Sequence, residues 1–95
     1  MAIQSFRDEQ LRGLLQGIIP GKGFPTGLAR IVQRKLVMMD SAMALADLRY
    51  PPGNGLEALK DDRKGQHSIR VNDQFRLCFV WTDAGPAQVE FVDYH

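Results

Sequence analysis

Apolar residues fall at Leu11, Leu14, Leu15 and Ile18, a spacing that puts them on one face of a helix for which Asp8 can serve as the cap. Gly17 lies near its end. Ahead of it, the alternation in "AIQSF" at 2–6 predicts a short opening strand. The stretch "IIPGKGFPTG" then holds two prolines and three glycines in ten residues, so it must be a loop, and Thr26 offers a second cap. From 27 to 40, Leu28, Ile31, Val32, Leu36 and Met39 keep helical spacing, with Arg30, Gln33 and Arg34 on the other side. Met38 and Met39 read as core filler. Ser41 can start a shorter third helix through Leu45 and Leu48, until "RYPPGNG" forces the chain out of helix.

The second half changes period. "HSIRV", "FRLCFVW" and "QVEFVDY" are rich in β-branched and aromatic residues and are separated by turn-like "NDQ" and "TDAGPA", with "LEAL" as a strand before them. The expected fold is a small α+β domain spanning 1–95, an opening strand and two to three helices packed on one face of an antiparallel sheet.

Alternation also assigns faces. Ile69, Val71, Phe75, Leu77, Phe79, Trp81, Val89 and Phe91 are odd-numbered and form the side the helices cover. Keeping both apolar sets of the first hairpin inside requires position 71 to face 75, because a one-residue slip would expose one set entirely. Arg70 then lies opposite Arg76. Like charges in cross-strand register are unfavourable, so either carboxylates such as Glu90 or Asp93 separate the two, or the pair meets an anion. Through the second hairpin, 77 faces 91 and Tyr94 joins the arginine face, while Asp93 points to the opposite side. Lys60, Arg63 and Lys64 add charge near one end of the sheet, partly cancelled by Asp61 and Asp62.

Composition narrows the classes. The 95 residues are 44% apolar and 24% charged, values of a folded globular chain. A net charge of +1 excludes a simple polycation, so contact with nucleic acid must come from arrangement. One cysteine and two histidines allow no internal disulfide and no metal-ligand spacing. No apolar run has signal-peptide or membrane-span character, which leads to an expected cytoplasmic location without membrane association. His67 falls on the covered face and reads as a satisfied core or rim histidine; Cys78 reads as sheet packing.

Cations beside Tyr94 and His95 suit phosphodiester cleavage, which needs donors for the developing charge and groups that exchange protons near neutrality. The run "PPGNGLEALKDDRKGQHSIRVNDQFRLCFVW", the later "VEFVDYH", the opening "IQSF" and "RKLVMMDSA" resemble the HigB toxins of bacterial type II toxin–antitoxin systems, within the RelE superfamily. The resemblance implies a microbial RNase-like fold and a ribosome-dependent endoribonuclease that enters the ribosomal A site, contacts rRNA and cuts mRNA to a 2′,3′-cyclic phosphate without cofactor or metal. It maps catalytic duty onto His95, Tyr94, Asp93 and Arg76, and phosphate contact onto Lys60 and Arg63; Arg70 follows from the register and Lys64 assists. Some relatives carry histidine where this chain has Glu57, so general-base duty does not transfer from that position and Glu57 either takes it over or has no role; many carry glycine at Asp61, an aromatic at His67 and tryptophan at Phe75. The implied partner is a helix-turn-helix antitoxin of HigA type, with operator DNA reached only through that complex. Two other readings stay open on a shared fold: a ParE-like gyrase inhibitor, and a non-catalytic module that binds an antitoxin in transcriptional autoregulation.

Overall fold

A computed structural model describes residues 1–25 and 27–94, so the expected cap at Thr26 and the candidate His95 lie outside the described residues. Helix α1 runs Glu9–Leu15 and helix α2 Ala29–Ser41, followed by 3₁₀ turns at Leu45–Arg49, Pro52–Asn54 and Asp61–Arg63. Four strands, β1 (Glu57–Ala58), β2 (His67–Arg70), β3 (Phe75–Thr82) and β4 (Gly85–Asp93), form an antiparallel sheet in sequence order. The expected α+β arrangement is present.

Asp8 caps α1 by accepting from the Gln10 backbone N–H at 3.1 Å. The helix stops before Ile18. Gly17, at φ 88, reverses the chain while its N–H and that of Ile18 bond the carbonyls of Leu14 and Gly13 at 2.9 Å each, the bonding of a glycine-terminated helix end. Ile18 is therefore 58% exposed instead of lying on the buried stripe. Helix α2 buries Val32, Leu36 and Met39 completely. The expected third helix is a single 3₁₀ turn that begins after Ala44, where Asp47 accepts from the N–H groups of Met43 and Ala44; Ser41 instead belongs to α2 and its hydroxyl donates to the Val37 carbonyl at 2.8 Å.

The expected opening strand is reduced to one parallel bridge, Phe6 with Val89. Pro86 has no N–H to donate, and Gln88 sits at φ 53 in a bulge where β4 places two residues, Gln88 and Val89, against Phe79. A ladder cannot run past both. The segment is still held, with Gln4 N–H on Pro86 O at 2.7 Å and Arg7 N–H on Val89 O at 2.9 Å. Gly85, at φ 129, is required here, since a Cβ would lie 2.5 Å from the Ala2 carbonyl oxygen.

The predicted register is present: Ile69 pairs with Leu77, Arg70 with Arg76, and Leu77 with Phe91. Odd positions Ile69, Val71, Leu77, Phe79 and Val89 pack with Leu11, Leu14, Val32, Leu36 and Met39 in one core. The other sheet face is not bare. Ser68 and Cys78 are both fully buried there, beneath the side chains described next.

Candidate active site

Arg76 occupies the middle of that second face. Its Nη1 donates to the Ser68 hydroxyl at 2.9 Å and to the Gly55 carbonyl at 3.1 Å, and its guanidinium carbon lies 5.9 Å from the centre of the Tyr94 ring. Among the described residues the nearest carboxylate, Glu57, is 4.0 Å away, outside hydrogen-bond reach, and only 18% of the Arg76 side chain is exposed. A largely buried cation is thus held by neutral acceptors. Its neighbours differ: Arg63 donates to Glu90 Oε1 at 3.1 Å and to Gln66 Oε1 at 3.0 Å, and Arg70 turns outward to pair with Asp73 and to donate to the Asn72 carbonyl at 3.2 Å.

The register therefore puts Arg70 and Arg76 opposite each other, but their side chains part. The carboxylate that takes Arg70 is Asp73, from the β2–β3 turn, and neither Glu90 nor Asp93 bridges the pair. Glu90 serves Arg63 and, at 4.0 Å, Arg7. Its hydrogen bond raises the Arg63 guanidinium above its ordinary pKa against the opposing effect of burial.

Gly55 reaches Arg76 because the loop before β1 is pinned from below. Asn54 is fully buried; its amide donates to the carbonyls of Leu48 and Tyr50 at 3.1 and 3.2 Å, and its oxygen accepts from Lys35 of α2. Gly55 itself takes φ 51 to turn its carbonyl toward the sheet. Desolvation lowers the Lys35 pKa, with Arg34 adding to the shift. Sequence reading missed both Asn54 and Ser68; a serine inside "HSIRV" and an asparagine flanked by glycines were the visible signals.

The strand end is fastened by Gln74, whose backbone carbonyl accepts from Tyr94 N–H at 2.8 Å and whose side chain donates to Asp93 at 3.1 Å. Asp93 thus points away from Arg76, as alternation requires. Tyr94, Glu57 and Lys60 meet around a cleft of about 270 Å³ completed by Ala58, Leu59 and Asp61. Asp61 stands at φ 54, which is why glycine suits this position. Lys60 and Lys64 are exposed on the loop.

A larger cleft of about 420 Å³ also borders β1 and is lined by Leu45, Ala46, Arg49, Leu56, Glu57, Ala58 and His67. Size does not decide between them. The smaller one is lined by Tyr94 and Glu57, both beside Arg76, and by Lys60, side chains of types that can exchange protons or hold phosphate. His67 stacks on Phe79, with ring centres 6.3 Å apart, and its buried Nδ1 has no hydrogen-bond partner among the described residues. Cys78 lies beneath the site, and burial pushes its thiol pKa up, partly opposed by Arg63. Among the described residues no group of three His, Cys, Asp or Glu side chains is arranged to hold a metal ion.

Comparison with known proteins shows the family to which the fold belongs. A family profile described as "RelE-like toxin of type II toxin-antitoxin system HigB" matches residues 4–95. The chain is 40% identical over 95 residues to "Toxin HigB-1" of Vibrio cholerae, covering all of this chain and 98% of that one. It is 37% identical over 78 residues to an uncharacterised protein of Haemophilus influenzae, covering 82% and 77% of the two chains.

Proposed function

The chain belongs to the RelE-like HigB toxins of type II toxin–antitoxin systems, and on that premise we propose that it is an endoribonuclease cutting mRNA in the A site of the translating ribosome. In this reaction a ribose 2′-oxygen attacks the adjacent phosphorus and the bond to the next nucleotide's 5′-oxygen breaks. The products are a 2′,3′-cyclic phosphate and a free 5′-hydroxyl. A base takes the 2′ proton, an acid protonates the leaving oxygen, and a cation meets the added negative charge.

One observation carries the reading: Arg76 is largely buried, yet no carboxylate lies within hydrogen-bond distance of it among the described residues. Such a charge can meet a phosphate without first giving up a hydrogen-bonded carboxylate, since its pair with Glu57 is held only at 4.0 Å. Glu57, 49% exposed at the cleft edge, is the base of this scheme. Tyr94 forms the wall against which Arg76 packs. His95, next in sequence to the anchored Tyr94, is the acid. Asp93 fixes the strand end through Gln74. Lys60 and Lys64 contact the RNA backbone beyond the cut, and Arg63 and Arg70 join them by exchanging Glu90 and Asp73 for phosphates.

A toxin of a type II system works with an antitoxin, here a helix-turn-helix protein of HigA type through which the pair reaches operator DNA. No helix among the described residues is long and apolar enough to cross a membrane, and the ribosome places the protein's action in the cytoplasm.

The test adds purified protein to ribosomes translating a defined message and analyses the new 3′ ends. Cuts within the A-site codon bearing cyclic phosphate are expected, with naked message left whole. Growth arrest with intact message and inhibited DNA supercoiling would instead select the gyrase-directed reading. Antitoxin binding without any growth arrest would select the non-catalytic one.

A further inference from the structure

We infer that Ser68 is a positioning residue for this reaction, its buried hydroxyl aiming the Arg76 guanidinium so that its unbonded edge faces the scissile phosphate. The inference rests on the reading of Arg76 given above. Ser68 stands in β2, paired across the sheet with Glu57 on one side and Cys78 on the other, and it is fully buried. A buried hydroxyl is retained where it has a partner, and the partner here is Arg76 Nη1 at 2.9 Å. The Gly55 carbonyl takes the same nitrogen at 3.1 Å. Both acceptors sit on Nη1, so Nε and Nη2 have no hydrogen-bond partner among the described residues.

The chemistry of the acceptor matters as much as its place. A carboxylate in place of Ser68 would put a hydrogen-bonded negative charge on Arg76, as Glu90 does on Arg63 and Asp73 on Arg70, where Arg76 now has only the looser 4.0 Å pair with Glu57. A hydroxyl orients the planar fork and leaves its charge for the pentacoordinate phosphorus, where the equatorial oxygens gain negative charge. Arginine carries several rotatable bonds, and a guanidinium displaced by one ångström no longer meets those oxygens. Ser68 touches neither the reacting atoms nor the substrate, and so acts only through Arg76.

The experiment compares Ser68→Ala, Ser68→Cys and Ser68→Thr with wild type and with Arg76→Ala. Two readouts are taken: single-turnover cleavage of ribosome-bound message, and ¹⁵N resonances of the Arg76 side chain, which report rotation of the guanidinium. Ser68→Ala and Ser68→Cys should cleave roughly 10- to 100-fold more slowly, with the Arg76 nitrogens averaged by free rotation. Ser68→Thr, which keeps the hydroxyl, should retain restricted rotation and most of the rate. Full activity in Ser68→Ala or Ser68→Cys alongside an inactive Arg76→Ala would overturn the inference and leave the role of Arg76 standing. A lost rate with unchanged Arg76 resonances would also overturn it. Full activity in Arg76→Ala would instead remove the functional reading on which it depends.

Discussion

Replacing Arg76 by alanine should separate function from stability. Loss of one preorganised donor to a developing oxyanion costs roughly 2.7–4 kcal/mol in the transition state, about 100- to 1,000-fold in rate. For folding, the two bonds to Ser68 and Gly55 are charge-assisted and contribute about 1.5–3 kcal/mol each. Against them stands the cost of keeping a cation with 18% side-chain exposure and no bonded carboxylate, several kcal/mol for a desolvated charge. These terms nearly cancel. The variant should therefore unfold within about 2 kcal/mol of wild type in urea at equal slope, while ribosome-dependent cleavage falls by two to three orders of magnitude. Wild-type cleavage, or a stability loss above about 3 kcal/mol with activity retained, would mean that Arg76 is a structural residue and that its desolvation cost was misjudged.

Other outcomes follow from the same geometry. Asn54→Ala removes an amide that bonds Leu48, Tyr50 and Lys35; it should cost about 2–4 kcal/mol by chemical denaturation, and it should slow cleavage as well because Gly55 loses its anchor. Asp61→Gly relieves a left-handed backbone at φ 54 and should stabilise the fold by about 0.5–1 kcal/mol. Removing that acid beside Lys60 should also tighten RNA binding, most visibly at low salt. Cys78 has a folded pKa raised by burial. The unfolded thiol therefore ionises first, so stability from this group is complete below the unfolded value near 9.0 and is lost as pH rises toward the folded one. Cys78→Ala should flatten that alkaline decline in melts followed from pH 8 upward; an unchanged pH profile would refute a buried neutral thiol.

Much of this was legible from one dimension. Period-two alternation identifies the covered face, and its dependence on a single register places Arg70 against Arg76, as the structure has them. The Asp8 cap and the stripes of α1 and α2 were equally local. Ile18 was misplaced because a glycine two residues past the last helical position reverses the chain, a choice that competes on near-equal terms with another helical turn. The opening strand failed where its neighbour across the sheet, 83 residues away at the Ser5–Gln88 contact, supplied a proline and a bulge.

The amino-acid order by itself determined the layers, the strand register and the face on which the arginines emerge, since these obey short periodicities that each segment carries internally. Only the tertiary structure decided which arginine hydrogen-bonds a carboxylate and which bonds a hydroxyl and a carbonyl. That choice depends on partners from separate segments: Glu90 comes to Arg63 from 27 residues away, and Gly55 to Arg76 from 21. Long side chains can reach several such partners, and the winner is set by where packing brings the backbone, not by any spacing along the chain.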